Sequence, residues 1–343
     1  MQRLIRRTSL FAILCILVSL LLVSCFVGLM LGTLAIAPSY VFGALMGTDS
    51  SLALYKDIVW NLRLPRVILS AAVGMGLTLS GTVMQAMFRN PMASPYIMGI
   101  SSGAGLGAVC TIFFGFGAAM GAGSVGAGAF CGALALSLVL LLMAGKRGGD
   151  TAYLLILGVA LSAVSSGVTS IIIFAGANST GMDVTLYWMM GSVAFVKLNA
   201  SLLLLSLVLC LFLFFATQSN VMNLMLEGQE AALPLGMNLI PFYRLYLVLN
   251  AVLVGGLVME AGLIGFVGLI VPHFSRVVMG ASHRRLLPVA VLTGGILTVW
   301  ADILGRSLIP GQDIPIGVML AFIGAPLFIY MLLKGNYHFG GNS

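Results

Sequence analysis

The side chains able to do acid–base or metal chemistry are few: nine carboxylates and three histidines in 343 residues. Glu260, His273, Arg276 and Asp302 come closest to the middle of apolar runs. None stands in an HExxH, GxSxG or paired-aspartate spacing, and the chain has no GxxxxGK[ST] phosphate loop. The sequence therefore offers no catalytic residue set, no metal ligands, no bound cofactor, and no way to hydrolyse a nucleotide by itself. Asp302 and Arg306 are four residues apart, the spacing at which a helix pairs a carboxylate with a guanidinium. His273 reads as a structural hydrogen-bonding residue, and Glu260, near an expected outer surface, as a solvated one. The five cysteines lie in apolar runs without CxxC spacing and read as small packing residues.

Three other groups could act by recognition or movement. Arg63 and Arg66, in NLRLPR, and Arg306 stand at expected outer span ends. They can form a basic collar for an acidic external protein, or snorkel to lipid head groups. Asn90-Pro91-Met92 breaks a helix on the inner side, since proline removes a backbone donor. It reads either as a gate of Asn and Met side chains or as a simple turn. The stretch 221–238, VMNLMLEGQEAALPLGMN, is too polar for lipid and carries Glu227 and Glu230. It reads as a short helix, a Pro-Leu-Gly turn and a re-entry at Ile240. Such a segment is either a docking surface for a soluble partner or an ordinary interhelical loop.

The elements that position these groups are membrane helices. The chain is 60% hydrophobic and 7% charged, against about a quarter charged in soluble proteins. Only an all-α polytopic membrane protein fits. Ten transmembrane helices are expected, at about residues 9–34, 65–88, 96–116, 122–144, 152–174, 198–217, 241–259, 262–279, 286–304 and 314–333. Residues 35–62 form an outer loop with a short amphipathic piece, and 175–196 an outer segment. Within 262–273, GLIGFVGLIVPH, glycines at every third position form a smooth packing ridge. Both termini fall inside: eleven basic residues lie on inner segments and five on outer ones. The net charge of +7 thus follows the membrane and is not a nucleic-acid signature.

An offset of 181 residues places Arg63 on Arg244, Val73-Gly74 on Val254-Gly255, Gly81 on Gly262, Pro91 on Pro272 and Met98-Gly99 on Met279-Gly280. Helix 2 runs inward and helix 7 outward, so helices 2–5 and 7–10 form an inverted repeat, a transporter arrangement.

The run NLRLPR, the stretch SGTVMQAMFRNPMASPYIMGISSGAG, and then GLIGFVGLIVPHFSRVVMGASHRRLLP, ADILGR and DIPIGVMLAFIGAPLFIYML resemble the FecCD family of ABC-transporter permeases. These are the type II importers of iron–siderophore complexes, haem and cobalamin. The resemblance covers about residues 61–333. It implies a ten-helix permease in the cytoplasmic membrane that pairs with a second copy or a paralogue. Two ABC ATPase subunits would sit beneath, carrying ATP and magnesium, and a periplasmic or lipid-anchored binding protein above. By the same resemblance Leu226, Glu227, Gly228, Glu230, Ala231, Ala232 and Gly236 belong to the ATPase-coupling segment. Arg63, Arg66 and Arg306 match binding-protein docking positions, and Asn90, Pro91 and Met92 the inner gate. Four residues at three places depart from the family pattern: Leu233-Pro234 replaces a basic or polar pair, Met92 a commoner leucine, and Glu260 an apolar residue. The alternative is an ion-coupled secondary transporter, which would rest on Glu260. Such transporters usually keep several ionisable groups near the midplane, and this chain does not. A membrane-embedded enzyme would need catalytic residues that are not visible.

Overall fold

A computed structural model describes residues 10–47, 53–96, 98–115, 123–144, 150–176 and 179–334. Arg3, Arg6, Arg7, Lys146 and Arg147, counted above on the inner side, lie outside the described residues.

The described residues form helices joined by short turns. In order they are α1 (Leu10–Met30), α2 (Pro38–Met46), α3 (Ala53–Asp57), α4 (Leu64–Met87), α5 (Ile100–Phe114), α6 (Ser124–Ala144) and α7 (Thr151–Ala175). Then follow α8 (Ser179–Met190), α9 (Leu198–Thr217), α10 (Ser219–Glu227), α11 (Gln229–Ala232), α12 (Ile240–Ala261), α13 (Val267–Met279), α14 (His283–Gly305) and α15 (Ile316–Lys334). Among the described residues seven helices are long and apolar enough to cross a membrane. α5, α13 and α15 are shorter apolar helices. A 13-residue helix such as α13 reaches only about 20 Å, short of a 30 Å hydrocarbon core. Its flanking non-helical backbone is tolerated at membrane depth because protein surrounds it.

α4 is the central column. Nearly all its residues are buried, and it packs against α9, α12, α13 and α14. Small residues let those neighbours touch its backbone. A methyl group on Gly74 would fall 2.2 Å from the Gly294 carbonyl oxygen, and one on Gly81 would fall 1.7 Å from that of Gly268. The second contact has a further cause. Pro272 lies inside α13 and has no N–H to give to Gly268, four residues earlier. The freed carbonyl is held against the Gly81 Cα, where a Cα–H can meet it. Nearby, Gln85 Nε2 donates to Leu269 O at 3.1 Å. By contrast α1 and α7 leave most of their surface uncovered by the chain, as lipid- or partner-facing helices do.

Three sequence expectations need correction, and one gains detail. The span expected at 65–88 begins earlier: α3 and a π-helical turn, Ile58–Arg63, run without a break into α4. Trp60 Nε1 there donates to Ala44 O at 2.9 Å, tying the turn to α2. The outer segment 175–196 contains a helix, α8. The helix expected at 96–116 starts only at Ile100, after a turn. The glycine ridge is not one helix: 262–266 are non-helical and α13 starts at Val267. The 181-residue offset survives in part. Gly99 and Gly280 both take a left-handed φ (+83° and +86°) and lead into α5 and α14. Pro91 sits in a turn, whereas Pro272 is inside a helix.

Candidate functional site

Two ends of the bundle carry the residues of interest. Ser201, near the start of α9, donates to Pro65 O at the start of α4, so both helices begin at one end. The segment between α9 and α12 lies at the other.

At the first end, arginines close α1. A helix leaves its last four carbonyls without partners. Here Val27 O accepts from Leu31 N at 2.9 Å, and Met30 O from Ile36 N at 2.9 Å. Arg63 Nη1 donates to Leu29 O at 2.6 Å and Met30 O at 2.8 Å, and its Nη2 to Leu34 O. Arg306 Nη2 donates to Gly28 O at 2.6 Å. Every terminal carbonyl of α1 is satisfied, two of them only by guanidinium groups, whose charge also suits a helix C-terminus. Arg66 faces two carboxylates. Its Nε meets Asp302 Oδ1 at 2.7 Å, and its Nη1 and Nη2 grip Asp313 at 2.5 and 2.8 Å. Asp302 Oδ2 also lies 3.2 Å from Arg306 Nε, at the expected i,i+4 spacing.

This corrects the collar. Arg63 and Arg306 are buried, 6% and 5% exposed, with their donors turned inward to backbone and Asp302. Arg66 is 13% exposed, and its partner Asp313 is 32% exposed. Asp313 was missed because its partner lies 247 residues away in the chain.

At the second end, α10, α11 and a 3₁₀ turn, Leu233–Leu235, make a compact projection. Met222, Met225, Ala232 and Leu239 anchor it in the core. Leu239 N donates to Gln229 Oε1 at 2.9 Å and Met237 N to Ala232 O at 3.1 Å, closing the loop on itself. Glu227, Glu230, Ala231 and Gly236 are exposed, Leu226 is half-buried, and Gly228 and Ala232 are buried. Leu233 and Leu235 stand out at 56% and 72% exposure. An exposed apolar tip preceded by two exposed carboxylates on a fixed base has the character of a docking element. Asn223 ties this base to α14, its Oδ1 accepting from His283 N at 2.9 Å and lying 2.8 Å from His283 Nδ1. The backbone N–H requires an acceptor, so Asn223 presents oxygen and His283 Nδ1 carries the proton.

Asn90, Pro91 and Met92 occupy the turn after α4 at this same end. Asn90 Oδ1 accepts from Met92 N at 2.8 Å, an Asx-type turn that fixes the turn locally. Further along this turn the Tyr96 hydroxyl is buried, and burial pushes it well above the ordinary phenol range, so it stays neutral.

A cavity of about 800 Å³ opens among the starts of α6 and α9, the end of α12, and α8. Its lining includes Glu260, Asp183, Lys197, Tyr187 and Trp188. Glu260 therefore faces a cavity shared with other charges. Among the described residues no group of three or more His, Cys, Asp or Glu could hold a metal ion.

The sequence model of the FecCD transport family matches residues 20–334. Hemin transport system permease protein HmuU of Yersinia pestis is 36% identical over 301 residues, 87% of this chain and 89% of that protein. Vitamin B12 import system permease protein BtuC of Salmonella arizonae is 40% identical over 278 residues, 80% of this chain and 83% of that protein. A solved metal-chelate type ABC transporter in an inward-facing conformation superposes with a TM-score of 0.84 at 30% identity, covering 94% of this chain and 99% of that chain. PsaBC from Streptococcus pneumoniae in complex with Fab, at a TM-score of 0.52 and 16% identity over 87% of this chain and 99% of that one, shares the fold alone. The chain, a multi-span helical membrane permease, belongs to the FecCD transport family.

Proposed function

We propose that this chain is the permease of an ATP-driven importer carrying a bulky metal chelate, such as haem, cobalamin or an iron–siderophore complex, into the cytoplasm. Kinship to haemin and vitamin B12 permeases supports the substrate class. The single observation that carries the coupling role is the projection 221–238: two exposed carboxylates followed by an exposed apolar tip, on a buried base. Two ATPase subunits, loaded with ATP and magnesium, grip this projection on each of two permease chains, identical or paralogous. Closing the ATPases moves the projections and swings the path between outward and inward states. This chain supplies no hydrolytic chemistry. The projection and both termini face the cytoplasm, and the arginine end faces a periplasmic or lipid-anchored binding protein. Of the three arginines only Arg66, paired with the partly exposed Asp313, approaches that surface, so any contact with the binding protein is proposed at this pair. The Asn90–Met92 turn gates the inner end.

The test is affinity purification of the tagged chain in mild detergent, followed by uptake of labelled haemin and cyanocobalamin into vesicles. A co-purifying nucleotide-binding subunit, lost when 227–236 becomes a flexible linker, and ATP-dependent uptake are expected. A chain that purifies alone and takes up either probe under an ion gradient overturns the proposal. That second reading, ion-coupled transport, is favoured by one observation: Glu260 lines a cavity with Asp183 and Lys197.

A further inference from the structure

The gate turn and the projection touch through a side chain that neither assignment uses. Arg89 follows α4 and precedes Asn90. Its backbone is left-handed (φ +47°), a conformation a non-glycine residue adopts at a cost. Its guanidinium rests on Gly228: a methyl group added there would fall 2.6 Å from Nη1 and 3.1 Å from Cζ of Arg89. Gly228 is the break between α10 and α11, and its φ of +93° with ψ of 172° is open to glycine alone. The hinge of the projection therefore has a cation from the gate turn seated directly on its backbone.

What lies beyond Arg89 is stiff. Asn90 N donates to Gln85 O at 3.3 Å, Ala93 N to Asn90 O at 3.0 Å, and Asn90 Oδ1 holds Met92 N. On the other side, α10 is held to α14 by Asn223. A displacement of Gly228 thus acts on a braced piece of chain.

We propose that Arg89 is the positioning residue that transmits movement of the projection to the Asn90–Met92 turn. This rests on the importer reading above. A planar guanidinium presents a fixed fork of donors, whereas an ammonium is a point charge on a flexible stem, so lysine does not reproduce this contact.

The experiment uses the full chain co-purified with its ATPase, carrying Met92→Cys as the sole cysteine. The rate at which a water-soluble maleimide modifies it is compared in nucleotide-free and nucleotide-trapped complexes. With Arg89 present, nucleotide changes this rate. Arg89→Ala and Arg89→Lys are expected to shrink that change about fivefold or more, the scale of a typical coupling between sites. The ATPase should co-purify in the same ratio. Arg89→Gly removes the side chain while suiting the left-handed backbone, so the same loss there excludes a folding defect. Arg284→Ala removes another exposed arginine of α14 and should keep the full change.

An undiminished nucleotide response in Arg89→Ala or Arg89→Gly overturns the inference. So does loss of the ATPase from those variants, which would make Arg89 a docking support, or an equal loss in Arg284→Ala. A complex that retains Arg89 and binds its ATPase, yet shows no nucleotide response, overturns the coupling reading itself.

Discussion

The two ends of this bundle solve opposite problems with similar materials. At the end where α1 closes, three arginines and two aspartates are consumed inside the chain. They cap helix carbonyls and neutralise one another, and almost nothing is left to offer a partner. At the other end the two carboxylates and two leucines of the projection point outward, while methionines and one glutamine hold its base. Charge near a membrane surface is therefore not evidence of docking in itself. What separates a fastening from a handle is whether the polar groups already have partners.

Breaking the fastening should have the largest effect. Arg66→Met leaves Asp302 and Asp313 without their shared partner, and removing one member of a buried pair costs about 3–5 kcal/mol. The expected result is a large fall in folded yield and melting temperature in detergent, with ATPase binding lost only as the fold is lost. Leu233→Ser with Leu235→Ser should do the reverse. Melting temperature stays unchanged, while ATPase retained in a pull-down falls about tenfold or more, since two buried leucines contribute several kcal/mol to an interface. Arg63→Lys is smaller: a single ammonium cannot span three carbonyls, and losing one or two hydrogen bonds costs about 1–2 kcal/mol, read as a modest drop in melting temperature. Glu260→Gln should have the least effect, less than about a twofold change in ATP-driven uptake, because it belongs to neither end's network. Abolished uptake there would favour ion coupling.

Much of the bundle was legible because hydropathy is a local property. The helix at 198–217 was placed from composition alone and is observed as α9, with the same limits. Legibility failed where tertiary contacts override local pattern. Residues 35–62 read as an outer loop with a short amphipathic piece, yet 53–63 are helical, and Trp60 and Arg63 there find partners on α2 and α1. The glycines of 262–268 were read as a helical ridge, yet 262–266 are not helical. At the candidate site, residue types identified the arginines, but no local signal gave their direction. Asp302 with Arg306 was readable at four residues' spacing; Arg66 with Asp313 was not, since it joins distant parts of the chain. Arg89 has no local signal at all, because its contact is with the backbone of Gly228, which carries no side-chain signature.

The capping of α1 also bears on how the molecule is made. The carbonyl of Gly28 is served by Arg306, which is translated 278 residues later, and Arg63 and Arg66 wait in the meantime. The C-terminal end of α1 therefore closes only once the segment carrying Arg306 has folded back onto it. A nascent or prematurely ended chain displays bare helix-end carbonyls beside uncompensated cations.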